Sequence, residues 1–377
     1  MAARKSRVEA AAVAAEELTG EFPDLELPLQ PPFPPMEAKP AARLPGGGGW
    51  LYEPKWDGFR CLAFRKGGTI ALQSKSGQPL DRYFPEMVEA FAALPVKTFV
   101  LDGEIVIESN GGLDFDALLQ RIHPAASRIR KLARETPASF HAFDLLVDAR
   151  GTSLAEEPLT SRRERLEAMF TKISTEGRIV LSPATADSKV AERWMKELGG
   201  AGLDGVIAKI AGSPYLSGER DGMVKIKRVR TADCVVGGFR WAQAGSRNEG
   251  QIGSLLLGLY DQAGKLDHVG FSSSFTAEER RELVPVLLPL REPPGFTGKA
   301  PGGPSRWSTG RSTEWEPLRA ALVCEVTFDH FSGDRFRHGT KFLRWRPEKR
   351  PEQCTFDQVW AKPVTLAKLG LLGSLGS

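Results

Sequence analysis

The chain is poor in cysteine: four residues, Cys61, Cys234, Cys324 and Cys354, are spread over 377. No Cys-x-x-Cys pair occurs, which argues against a structural zinc site. The thiols read as reduced, in a cytosolic protein. Long apolar runs are missing too; none approaches the roughly 18 residues of a membrane span. Near the N-terminus the alanines are interrupted by Glu9, Glu16 and Glu17, so no signal-peptide core forms. A cytoplasmic protein with no membrane partner is the expectation. Nor is one charge in strong excess. A net charge of +4 and an isoelectric point near 8.8 permit a polyanionic partner without demanding one. The basic residues are nonetheless clustered. Residues 335–350 hold seven Lys or Arg and one acid, Glu348, while residues 121–134 hold five and no acid. Either run could track phosphates with salt-sensitive affinity; either could be a solvated face.

The length allows two domains, each with its own core. No internal repeat is evident. Residues 1–28 read as an extension, with 4–18 able to form a helix. The proline-rich stretch 28–40 should run extended over a surface. Strands are predicted over 50–54, 59–65, 69–73, 98–107, 139–146, 205–209 and 223–227, and helices over 85–94, 115–119, 159–170 and 189–198. Short strands joined by tight turns imply antiparallel pairing and an α+β fold. After residue 229 the texture changes. Strands at 234–239, 254–260, 266–271 and 321–328 and a helix at 276–290 fit a five-stranded OB-fold with an inserted helix. Residues 292–316 form a Pro/Gly-rich loop, and 363–377 a tail.

Chemistry gathers in short blocks. Glu53-Pro54-Lys55-Trp56-Asp57-Gly58-Phe59-Arg60 contains Lys-x-Asp-Gly, a pattern suited to a lysine that attacks the α-phosphate of a nucleotide. Gly58 would leave room beside a ligand, and Arg60 offers a fork of donors to ribose or phosphate. Then come Ser74-Lys75-Ser76-Gly77, Asp102-Gly103-Glu104, Phe143-Asp144, Asp204-Gly205-Val206-Ile207-Ala208-Lys209 and Lys225-Ile226-Lys227. The last are Phe342-Leu343-Arg344-Trp345-Arg346-Pro347-Glu348-Lys349 and Pro351-Glu352-Gln353-Cys354-Thr355. Each block alone has an ordinary explanation: a surface lysine, a capped turn, a core phenylalanine, a solvated strand edge. A free lysine has a pKa of about 10.4. Neighbouring cations and burial are expected to lower that of Lys55. Lys225 and Lys227 are expected to alternate, with only one on the face of Lys55.

In this order the blocks resemble the ATP-dependent DNA ligases of the covalent nucleotidyltransferase superfamily, across about residues 29–360, and look closest to small bacterial ligases of the C type. The resemblance implies an adenylation domain at 29–228 and an OB-fold domain at 229–362. It implies Lys55 as the nucleophile that becomes lysyl-AMP. Glu53, Arg60, Lys75, Glu104, Phe143, Lys209, Arg220, Lys225, Lys227, Arg346 and Lys349 would bind ATP. Phe143 would stack on adenine and Glu53 contact it. Glu104 and Asp204 would hold Mg2+, with Mn2+ as a substitute; Asp204 stands where many relatives have Glu. Lys75 stands where many have Arg, and Glu348 where Asp is common. Arg346 and Lys349 would orient pyrophosphate in a closed form that reopens for DNA.

The partner implied is nicked duplex DNA, sealed by a monomer in repair, with repair polymerases as companions. The long N-terminal DNA-binding region of larger relatives is not seen, so Arg128, Arg130 and Lys131 are candidates for holding the duplex. An RNA ligase or mRNA-capping guanylyltransferase is the rival within the superfamily; the blocks at 342–349 and 351–355 favour the DNA ligases. A non-enzymatic DNA-binding descendant is the rival outside it; intact Lys55, Glu104 and Lys225 argue against that.

Overall fold

The computed structural model describes residues 21–359, apart from 110, 174–176, 198–202, 229, 243–249, 303–313, 330 and 338. The expectations for residues 1–20 and for the tail lie outside the described residues. The strands are β1 (Lys39–Ala41), β2 (Trp50–Lys55), β3 (Phe59–Lys66), β4 (Thr69–Ser74), β5 (Thr98–Val106), β6 (Glu108–Ser109), β7 (Gly112–Leu113), β8 (Ser139–Val147), β9 (Ile179–Leu181), β10 (Gly205–Ile210) and β11 (Met223–Lys227) in a first compact unit whose described residues end at Lys227. A second unit, from Arg228, holds β12 (Arg230–Trp241), β13 (Ile252–Tyr260), β14 (Leu266–Ser272), β15 (Glu316–Pro317), β16 (Val323–Phe328), β17 (Phe331–Ser332), β18 (Arg335–Phe336) and β19 (Lys341–Trp345). The described helices are α1 (Pro85–Ala93), α2 (Phe115–Leu119), α3 (Ala126–Glu135), α4 (Leu159–Phe170), α5 (Ser188–Glu197) and α6 (Ala277–Leu287). The fold is α+β, as the short alternating strands imply.

Among the described residues two larger sheets and a β6-β7 ribbon build the first unit. One has the order β1-β11-β10-β2 and the other β4-β3-β5-β8-β9. Pairing is antiparallel except for β1 with β11 and β8 with β9. Side chains alternate along each strand, so each sheet has two distinct faces. On the five-stranded sheet Cys61, Ala63, Phe99, Leu101 and Phe140 pack one face against α1, α2 and α4, whose Met87, Phe91, Leu118 and Leu166 belong to the same core. On the four-stranded sheet Tyr52, Val206, Ala208 and Ile226 pack against Ala191 and Trp194 of α5. The opposite faces of both sheets carry the polar residues of interest. Leu25, Leu27 and Met36, from the chain ahead of β1, fill part of that space against Leu62, Phe64, Val100 and Met223.

The second unit has the order β14-β13-β12-β16-β19, and a parallel bridge between Ser272 and Thr340 brings the ends of β14 and β19 together. That closes a five-stranded barrel with α6 between its third and fourth strands, the OB-fold arrangement. Thr276 caps α6 in a reciprocal box with Glu279. Cys234, Cys324 and Cys354 are all buried in this core, where burial pushes their thiols well up.

Residues 121–134 do not form one basic surface. Arg121 is fully buried and forks onto both oxygens of Glu86 at 2.7 Å. Arg128, Arg130 and Lys131 lie on α3, anchored by buried Ile129; Arg130 and Lys131 are exposed and Arg128 half-buried.

Candidate active site

Lys55 is the last residue of β2, on the edge of the four-stranded sheet. Register places Lys55 opposite Gly205 and Gly205 opposite Lys227; the next row is Glu53, Ile207 and Lys225. Residues two apart on a strand share a face. Lys225 and Lys227 therefore both lie on the face of Lys55, and Ile226 between them enters the core behind the sheet. This corrects the expected alternation. Gly205 has no side chain because there is no room for one: a Cβ there would meet the Ile226 carbonyl oxygen at 2.0 Å, at φ +155°. The lysines thus flank a bare strip of backbone.

The facing sheet contributes Arg60, Asp102 and Glu104, from adjacent strands in register, and Phe143 from β8. Gly58 leads into β3. A Cβ on it would stand 2.2 Å from the Ile105 carbonyl oxygen and 2.8 Å from the Glu104 Cγ. The space it saves is therefore taken by β5 rather than by a ligand. Gly58→Ala should force the strands apart and destabilise the first unit by about 3 kcal/mol. An unchanged denaturant midpoint would contradict this packing.

Electrostatics bind the parts together. Lys55 Nζ donates to Asp204 Oδ2 at 3.1 Å, and Lys227 reaches the same oxygen at 3.3 Å. Burial alone would lower the Lys55 amine, but Asp204, Glu104 and Asp57 outweigh it and hold it above its ordinary value. The expected depression is thus corrected: carboxylates, not cations, dominate around this amine. Lys225 behaves as expected for Lys55, held down by burial and by Lys75, Lys55 and Lys227. Burial pushes Glu104 up to about 7, against Arg60 and Lys55. Such a carboxyl ionises when a cation is set beside it.

Arg60 does not hold its fork open. Its Nε and a terminal nitrogen donate to the two oxygens of Asp102 at 2.5 and 2.6 Å, and the Tyr215 hydroxyl donates to the same carboxylate at 2.7 Å. The guanidinium lies 4.6 Å from the Phe143 ring centre, and Lys209 Nζ lies 4.5 Å from it. Lys209 also pairs with Glu53 at 2.8 Å. Glu37 gathers Lys75 at 2.9 Å and Arg220 at 3.3 Å. In the second unit Asp233 accepts from Arg346 at 2.8 Å and from Lys349 at 2.6 Å, and Arg346 also meets Glu348 at 2.6 Å.

Several partners were not assigned from sequence. Asp102 and Asp144 stand inside the quoted blocks without a role, and Arg162 forks onto Asp144 at 2.8 and 2.9 Å. Tyr215, Glu37 and Asp233 lie far from their partners along the chain, and no local pattern marks them.

Asp204 and Glu104 both act on the Lys55 amine, so they converge on one region. Among the described residues no group of three or more His, Cys, Asp or Glu forms a cage for a metal ion. A pair of carboxylates suits Mg2+, which keeps water and takes substrate phosphate oxygens.

Two sheets enclosing a lysine, followed along the chain by an OB-fold, make the build of a nucleotidyltransferase-type ligase. Comparison with known proteins narrows this. A family described as "ATP dependent DNA ligase domain" matches residues 35–227, and one described as "ATP dependent DNA ligase C terminal region" matches residues 248–349. DNA ligase C1 of Mycolicibacterium smegmatis is 46% identical over 345 residues, covering 89% of this chain and 96% of that protein. DNA ligase C of Mycobacterium tuberculosis is 43% identical over 362 residues, covering 91% and 98%. The solved structure Pmar-Lig_Pre shares the fold at a TM-score of 0.53 and 19% identity, covering 83% of this chain and 68% of that one. The chain belongs to the ATP-dependent DNA ligases. It is an enzyme that uses ATP and acts on DNA. Among the described residues no helix is long and apolar enough to cross a membrane.

Proposed function

We propose that this ligase seals nicks in duplex DNA through two covalent intermediates. Lys55 Nζ bonds to the α-phosphorus of ATP as the bond to pyrophosphate breaks, giving lysyl-AMP. AMP then passes from nitrogen to the 5′-phosphate at the nick. The adjacent 3′-hydroxyl attacks that phosphate, and AMP leaves. The observation that carries this reading is Lys55 on one sheet face with Lys225 and Lys227, against Asp204 and Glu104. The amine must shed a proton before it attacks, and Asp204 is the group that receives its hydrogen bond. Lys225 and Lys227 supply positive charge for the phosphates. Asp204 and Glu104 would hold Mg2+, which neutralises phosphate charge when bound.

Four substrate pairs test the proposal: ATP or GTP with nicked DNA or nicked RNA. Only ATP with nicked DNA should give a sealed strand at full rate. Equal sealing of nicked RNA would favour the RNA-ligase rival. The resemblance to small ligases also motivates a monomer acting in repair; a dimer by light scattering at working concentration would count against the first part.

The duplex is proposed to lie along α3. Replacing Arg128, Arg130 and Lys131 together by Ala should leave Lys55 adenylylation near normal. Nick binding should weaken, and its salt slope should fall by about 0.9 for each phosphate that is no longer neutralised. Lys131 is paired at 3.8 Å with Glu135, an exposed ion pair that costs little to give up. Identical slopes for wild type and triple variant would assign these residues to solvent.

A further inference from the structure

We propose that Glu37 is a built-in competitor for phosphate: its carboxylate occupies Lys75 and Arg220 until a substrate phosphate displaces it. Glu37 thereby limits how tightly the enzyme holds its polyanionic substrates. The inference rests on the reading of the Lys55 cleft as the place where those phosphates bind. Glu37 lies just ahead of β1, the edge strand that pairs with β11 in the four-stranded sheet. Its amide donates to the Glu219 carbonyl oxygen at 2.7 Å, which sets it beside Arg220. Lys75 comes from the other sheet, in the turn that follows β4. The two cations therefore approach one carboxylate from separate sheets. They meet on a single oxygen, Oε2, with Lys75 at 2.9 Å and Arg220 at 3.3 Å. The cluster is continuous with the lysines around Lys55. Burial, Lys75, Lys55 and Lys227 lower the Lys225 amine, and Glu37 raises it.

This pairing is of a kind that gives way. Asp102 and Asp144 are permanent joints, each buried and each receiving a two-pronged guanidinium fork. The Glu37 side chain is 28% exposed, and those of Lys75 and Arg220 are 57% and 67% exposed. Arg220 stands farther from it than the roughly 2.7–2.9 Å of a good charge-assisted bond. Exposed pairs of this sort contribute little to folding. The backbone of Glu37 already has its partner in Glu219, so the segment does not need the carboxylate to hold its place. A phosphate group presents more oxygens and can take the guanidinium fork and the ammonium together. It displaces the carboxylate, but only against the attraction that the carboxylate gives up. Glu37 thus neutralises two cations in the empty cleft and weakens every phosphate that follows it there.

The test uses the full chain and a nicked duplex with a 3′-dideoxynucleotide at the nick, which binds without being sealed. Glu37→Gln keeps the shape of the side chain and removes its charge. Nick affinity should rise by about 5- to 10-fold at low salt. The salt slope should steepen by about 0.9, for one more phosphate neutralised. The denaturant midpoint should not move. The gain should vanish when Lys75→Ala and Arg220→Ala are already in place, because the carboxylate then has nothing to occupy. Nicks with a 5′-phosphate or a 5′-hydroxyl, and the KM for ATP in lysine adenylylation, show whether the terminal phosphate, the duplex backbone or ATP is the displacing group. Unchanged affinity, slope and KM overturn the proposal. Weaker binding overturns it too, since Glu37 would then be a brace for the cations. So does a gain that persists without Lys75 and Arg220, which would make Glu37 a remote charge. A Glu37→Gln protein that fails to fold makes the carboxylate a structural joint and is equally fatal. If wild type neither binds the nick nor accepts AMP from ATP, the reading of the Lys55 cleft falls and this inference with it.

Discussion

Lys55→Ala should abolish transfer of AMP to the protein, a loss on the order of 10⁴-fold or more. Among the described residues no other amine is placed to replace it in the same way. Lys227 shares Asp204 but stands beyond Gly205, and Lys225 is one row further along. The loss should not be a folding defect. The Lys55 side chain is part-exposed, and Asp204 keeps Lys227 as a partner when Lys55 is gone. The protein should therefore keep its unfolding midpoint. It should also retain some sealing of DNA that already carries a 5′-adenylate, since that step needs no nucleophilic lysine. Labelled ATP with magnesium, followed by denaturing electrophoresis, reads the first part. Persistent label on the variant would show that the nucleophile is misassigned.

Arg346→Ala and Lys349→Ala should each slow lysine adenylylation by about 10²-fold while changing the sealing of pre-adenylated DNA only a few-fold. Removing one preorganised charged donor commonly costs that much at a step where charge develops. Pyrophosphate is present only in the first step, so the deficit should be confined there. Both side chains meet on Asp233, so either single variant leaves that carboxylate one cationic partner and spares the barrel. Equal losses in the two assays would remove the leaving-group role from this block.

Much of the site was legible because it is built from short strands and tight turns. Lys55 ends β2, Asp204-Gly205 opens β10, and Lys225 and Lys227 lie in β11, whose bounds match the predicted strand. β3, β5 and β8 were found to within a residue or two because apolar residues predominate along them and both of their faces are largely buried. The errors have physical causes. The lysine alternation failed because the period of a strand is two, which puts i and i+2 together. The direction for Lys55 failed because carboxylates from β5 and from the start of β10 converge on it, and sequence distance hides them. β19 escaped because Lys341–Trp345 does not alternate cleanly between buried and exposed, and its charge made it read as a motif alone. The Asp102, Tyr215 and Arg60 network was invisible because its members come from three separated elements joined only by the fold. Gly58 was noticed for the right reason, a need for space, but the occupant of that space is a neighbouring strand.

The central claim is that Lys55 carries AMP on its way from ATP to the nick. The most direct measurement loads the protein with label from α-labelled ATP, removes free nucleotide, and locates the label by peptide mapping before and after nicked DNA is added without ATP. The label should sit on the peptide containing Lys55, leave it when nicked DNA arrives, and appear as free AMP in amounts matching the sealed strands. Label on any other residue, or label that stays on Lys55 while strands are sealed, would contradict the account.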